Sequence, residues 1–259
     1  MRNFLIIPKI NNLDESLELV EEYGVGFEYN DFFFPDVMDD KAKKKEIISA
    51  YKSVKLPKYN TMHGAFFDII VFSFDKKIRD VAEYRIKESI ETALELDAKG
   101  VVFHTNHTPM LKSDFYINGW IERNTLFWNK ICDEYKGIDI YLENMFDDTP
   151  YLLRTLSENL SQKENFGVCL DYAHANVFGK NADDFVKELS PFTKHIHIND
   201  NDLEDDLHLA VGDGKIDWDK FKECFLENLK NAKSVLIETS ETENQIKSLK
   251  YLKNSGIMD

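Results

Sequence analysis

Short apolar runs alternate with longer amphipathic stretches along the whole chain, and the two periods predict strands and helices in turn. Strands are expected at 3–8, 25–29, 59–63, 100–105, 139–144, 166–171, 194–199 and 234–239. Several are apolar at nearly every position, as in Gly100-Val101-Val102-Phe103, the pattern of a parallel strand covered on both faces. Helical spacing fills the gaps. Leu13, Leu17 and Val20 recur at helix period behind Asn12 or Asp14 as a cap. A long helix is expected at 78–96, with Ile86, Ile90, Ala93 and Leu94 on one side, and others at 120–135, 151–160, 182–189, 218–229 and 245–252. Eight strand–helix units can close into a barrel or spread into an open doubly wound sheet. A doubly wound nucleotide binder carries a Gly-rich turn after its first strand, and Ile10-Asn11-Asn12-Leu13 has no glycine. The expected fold is a single (β/α)8 TIM barrel. No Pro/Gly/Ser-rich linker interrupts the 259 residues, so 1–259 reads as one domain of the usual size for that fold, roughly 250 residues.

Composition narrows the class. Hydrophobic residues make up 43% of the chain, enough for a packed core. No run approaches the roughly 18 apolar residues of a membrane span, and the apolar start is too short for a signal segment. Cys132, Cys169 and Cys224 are widely spaced and contain no CxxC pair, which argues against disulfides and a zinc knuckle and for a cytoplasmic setting. The net charge of −15 opposes attraction to nucleic acid. Lys41 to Lys45 holds four lysines in five residues, which reads as the solvated face of a helix. Oligomerisation remains open at this stage.

The chemistry lies at the strand ends. His63 ends the third predicted strand, His104 the fourth, Glu143 the fifth, Asp171 the sixth with His174 three residues on, and Glu238 the eighth. His195 and His197 share one side of the seventh, and His197, nearer its C-terminal end, is the favoured ligand. In a barrel these ends meet at one mouth. Carboxylates closing apolar strands are costly to bury unpaired. Mixed imidazole and carboxylate donors suit Zn²⁺, Mn²⁺, Co²⁺ or Fe²⁺. His107 falls in a loop and is expected at the surface or behind the ligands. Downstream, Asp206-Leu207-His208 precedes Gly212-Asp213-Gly214, a turn that permits close approach, with Asp217 as cap of the next helix.

Three segments, Leu170-Asp171-x-x-His174, His197-x-x-Asp200 and the DxHxxxGxG of Asp206–Gly214, make the chain resemble the xylose-isomerase-like TIM-barrel superfamily. That superfamily unites sugar isomerases and epimerases with endonuclease IV, and the resemblance spans nearly the whole chain. It implies one metal held by Glu143, Asp171, His197 and Glu238, as in the epimerases. The endonuclease IV branch implies three, with His63, His104, His174, Asp206 and His208 as further ligands. All nine positions carry ligand-competent residues, which favours a multinuclear site, with one to three ions of Zn, Mn or Co.

Two enzymatic readings follow. The first is an isomerase or epimerase of a sugar or related hydroxy-carbonyl compound, with Glu143 and Glu238 exchanging a proton at the reacting carbon. His174 and Lys215 would grip this small carbohydrate substrate, and Phe66, Phe67 or Trp120 would wall it. The second is hydrolysis of abasic DNA. A third reading, a non-catalytic sugar-binding barrel or a subunit of a larger complex, is opposed by the intact carboxylates, since a pure binding module has no need of paired glutamates on a metal.

Overall fold

In the computed structural model, which describes residues 2–258, eight parallel strands close into a barrel in sequence order. They are β1 (Asn3–Ile6), β2 (Gly26–Tyr29), β3 (Asn60–His63), β4 (Gly100–His104), β5 (Asp139–Glu143), β6 (Phe166–Asp171), β7 (Thr193–Ile198) and β8 (Ser234–Ile237). Closure comes from β1 pairing with β8, Asn3 opposite Ser234 through Ile6 opposite Ile237. The helices are α1 (Leu13–Tyr23), α2 (Pro35–Met38), α3 (Lys41–Lys52), α4 (Lys76–Glu95), α5 (Asp114–Glu134), α6 (Tyr151–Asn159), α7 (Tyr172–Val177), α8 (Ala182–Leu189), α9 (Trp218–Glu227) and α10 (Thr242–Ser255).

Strand alternation sends successive side chains to opposite faces, and here it separates two environments. Val101, Phe103, Ile140, Leu142, Val168, Leu170, Ile196, Ile198, Val235 and Ile237 all belong to one large core shared with the helices. The intervening positions face the barrel interior, where Val102, Tyr141 and Cys169 form a small apolar cluster of their own. Leu5 and Leu236 also face inward, and beside them the polar Glu28, Thr61, His195 and Ser234 are fully buried.

Local details follow from the sequence. α4 buries Ile86, Ile90 and Ala93 as its period requires, whereas Leu94, expected on the same side, is 42% exposed. Asn12 precedes α1 without a side-chain cap, and Asp217 caps α9 by accepting from the Lys220 amide. Lys41, Lys43 and Lys45 are exposed on α3, and Lys44 reaches Glu88 at 3.9 Å. Among the described residues no helix is long and apolar enough to cross a membrane.

Candidate functional site

Register sets the first neighbours. Pairing of β4 with β5 puts His104 beside Glu143, and pairing of β6 with β7 puts Asp171 beside His197. Each of these side chains occupies an interior-facing position at the C-terminal end of its strand. His63 comes from the end of β3 and Glu238 from the residue after β8. His174 enters from α7, whose N-terminus Asp171 caps by accepting from the His174 amide at 2.6 Å.

The nine expected positions gather into three groups, in each of which the donor atoms lie within 4.8 Å of one another. Glu143, Asp171, His197 and Glu238 form the central group, all buried. His197 Nδ1 is 3.3 Å from Glu143 Oε2 and 3.5 Å from Glu238 Oε2. His63 and His104 share Glu143 with this group, their Nε2 atoms 3.7 and 3.6 Å from its Oε2. His174 and His208 flank Asp206, with Nε2 atoms 3.2 and 3.0 Å from its Oδ2.

The central group suits a cation on physical grounds. Both Glu143 oxygens, Asp171 Oδ2, His197 Nδ1 and Glu238 Oε2 are buried without a hydrogen-bond partner, a costly state for polar atoms. Burial pushes Asp171 well above the usual carboxylate range, and the nearby Glu238 and Glu143 charges push it further, although His174 opposes them. Burial acts the same way on Glu238, but the His197 charge outweighs it and holds Glu238 down to about 2. His104 is pushed down to about 3, chiefly by burial, so at neutral pH its ring carries a free lone pair. A divalent ion would satisfy the unpartnered atoms and relieve the repulsion at Asp171. Imidazole with carboxylate is also the donor mixture of zinc and its neighbours.

Other expectations resolve differently. His195 faces the interior below His197 and bonds Glu28 and Ser234. It lies near Cys169 in a further donor group, but burial pushes the Cys169 thiol well up, so it stays protonated. His107 is not at the surface: it is buried, with Nδ1 3.7 Å from Asp147. Trp120 is a core residue rather than a mouth wall, donating its indole N–H to the Thr105 carbonyl. Phe66 does stand at the mouth, its ring 4.7 Å from that of His104. Lys215 is exposed on the loop after β7.

Two residues are more central than the sequence indicated. Glu28 bonds His195 from across the barrel and brings its other oxygen to 3.1 Å from His197 Nε2. Its only signal was a carboxylate within the apolar strand Gly26-Phe27-Glu28-Tyr29. Asp200, the last residue of the His-x-x-Asp segment, is fully buried. It accepts from the amides of Asn201, Gly212 and Ile216 and from the Trp218 indole. It therefore folds the 199–217 loop that carries Asp206 and His208.

The βα loops forming the rim are poor in positive charge. Across all eight the basic residues are Lys9, Lys112, Lys180 and Lys215. Lys9 pairs with Glu241, and Lys112 and Lys180 with Asp148. The 199–217 loop alone holds seven acidic residues.

Comparison with known proteins gives the same architecture. The chain is 32% identical over 224 residues to MJ1614 of Methanocaldococcus jannaschii, an uncharacterized protein, covering 84% of this chain and 83% of that one. It is 24% identical to apurinic-apyrimidinic endonuclease 1 of Plasmodium falciparum over 73% of this chain and 34% of that protein. Among solved structures, a D-tagatose 3-epimerase-like protein superposes with a TM-score of 0.75 at 25% identity, covering 99% of this chain and 98% of the other. The family described as xylose isomerase-like TIM barrel matches residues 17–255, and the chain belongs to that family.

Proposed function

We propose that the protein is a divalent-metal-dependent isomerase or epimerase acting on a sugar or related hydroxy-carbonyl compound, within a single domain. In this reading Glu143, Asp171, His197 and Glu238 hold the ion. The observation that carries it is the pair of carboxylates, Glu143 and Glu238, 3.3 and 3.5 Å from His197 Nδ1, each with a buried unpartnered oxygen. Bound there, a divalent ion would polarise a substrate carbonyl and an adjacent hydroxyl and stabilise the negative charge left by a departing proton. Although burial opposes it, the histidine charges around Glu143 and Glu238 hold both below the ordinary carboxylate range. Both are therefore ionised at neutral pH and able to accept a proton. One removes it from carbon, and the other, after taking a proton from solvent, delivers it on the opposite face. Phe66 and its neighbours limit water at one side of the site. The rim's shortage of free cations favours a small, uncharged substrate over a polyanion, and the epimerase-like structural relative supports the same class.

A second reading, phosphodiester hydrolysis, is favoured by one observation. His63, His104, His174, Asp206 and His208 supply two donor groups beyond what a one-ion site requires, and an apurinic-apyrimidinic endonuclease is among the relatives. One experiment separates the two. With a panel of ketoses and saturating metal, the native protein should exchange a carbon-bound hydrogen with deuterated water, and Glu238→Gln should remain folded but lose that exchange by at least about 10²-fold. No exchange on any ketose, together with cleavage of an abasic duplex at physiological salt, would reverse the assignment.

A further inference from the structure

Beneath the central group lies a polar network that none of the nine positions accounts for. Glu28, on β2, is fully buried inside the barrel. Its Oε2 accepts from the Thr61 hydroxyl at 2.6 Å and from His195 Nε2 at 2.9 Å. Its Oε1 lies 3.1 Å from His197 Nε2. On the far side of the His195 ring, Ser234 Oγ sits 2.7 Å from Nδ1.

These contacts fix the hydrogens. An ionised carboxylate only accepts, so the ring nitrogens facing Glu28 must both be N–H groups. His195 then carries its hydrogen on Nε2, and its Nδ1 accepts from the Ser234 hydroxyl. His197 Nε2 also lies 3.1 Å from His195 Nε2, so its N–H points between that ring and the carboxylate, and its tie to Glu28 is an ion pair without an aligned hydrogen bond. For His197 the consequence is directional. With Nε2 kept as N–H, the proton that the ring gives up to an incoming ion is the one on Nδ1, the atom that faces Glu143 and Glu238 at 3.3 and 3.5 Å.

We infer that Glu28 is a positioning residue, a buried carboxylate that holds His197 in the tautomer and orientation that offer Nδ1 to a divalent ion. The inference rests on the reading that the central group holds an ion. Thr61 braces the carboxylate, and His195, itself fixed by Ser234, fills its second lone pair so that the group cannot turn away. Partners of this kind behind a ligating histidine are worth about 10–100-fold in metal affinity.

The test uses the full chain, with zinc as the probe. Zinc affinity is measured for each resolved equivalent by chelator competition, and the histidine tautomers are read by ¹⁵N NMR of the ring nitrogens. Glu28→Gln should keep a cooperative thermal transition, weaken one zinc equivalent by about 10–100-fold, and remove the Nε2–H signature of His197. A merely structural glutamate would leave that tautomer unchanged. Thr61→Val removes only the brace and should shift affinity in the same direction by less; it carries the test if Glu28→Gln does not fold. All zinc equivalents within about twofold of the native protein in the folded variant, or an unchanged His197 tautomer, overturns the inference. Glu238→Gln serves as the control. If it too leaves zinc binding intact, the ion reading itself fails; if it alone weakens binding, only the role of Glu28 does.

Discussion

His208 shows how a single side chain responds to the crowded charges of the candidate site. It donates to the Glu238 carbonyl through Nδ1 and to Asp206 through Nε2, at 2.8 and 3.0 Å. Burial alone would lower its pKa, but the Asp206 bond and the Glu238 and Asp206 charges raise it to about 10. A histidine with a raised folded pKa contributes stability that is complete below its unfolded value, about 6.5, and is lost as pH rises through the folded one. Zinc-free native protein should therefore exceed His208→Asn in Tm by most near pH 6, and the gap should close toward pH 10. A gap that stays constant across that range would show that His208 contributes shape rather than charge. At this scale the sequence was informative wherever a ligand-type residue closed an apolar strand, as with His104 and Glu143. Glu28 had the same signal, a charge in an apolar strand, but in mid-strand, where it pointed to no mouth.

Among the elements, the loop from 199 to 217 depends most on one anchor. Asp200 takes four hydrogen bonds, three from loop amides and one from the Trp218 indole. Gly212 adopts φ +93°, and a Cβ on Gly214 would collide with the Asn201 carbonyl and the Asp200 carboxylate, so the two glycines let the chain close around that anchor. Asp200→Asn replaces an acceptor oxygen by an amide donor facing other donors. It should cost about 3 kcal/mol in urea denaturation. It should also weaken zinc binding at the His174–Asp206–His208 group while sparing the central group, whose residues come from strands and from β8's end. Loss of both groups together would mean that the loop also supports the central one. The His-x-x-Asp and GxG spacings were visible in the sequence. That Asp200 organises the glycines, rather than joining the ligands, required knowing which amides surround it.

For the whole molecule, the central group places several buried carboxylates in a chain of net charge −15. Asp171 is held well above its usual range by burial and by Glu238 and Glu143, so the ion-free fold is the less favourable one at neutral pH. A divalent ion at 100 times its dissociation constant should add about 2.7 kcal/mol, or roughly 5–10 °C in Tm for a chain of this size. Scanning calorimetry with chelator and with zinc checks this, and an unchanged Tm would count against an ion in the central group. The sequence by itself determined the barrel, because eight doubly covered apolar strands alternating with amphipathic helices leave few ways to bury both strand faces. It also determined which residue types close those strands. Tertiary structure decided the rest. Register placed His104 beside Glu143 and Asp171 beside His197, interior packing turned His195 toward Glu28 and His197 toward the mouth, and the Asp200 anchor brought in Asp206 and His208. Each of these depends on contacts between residues far apart in the chain, and period and spacing along one strand carry no information about what lies across the barrel.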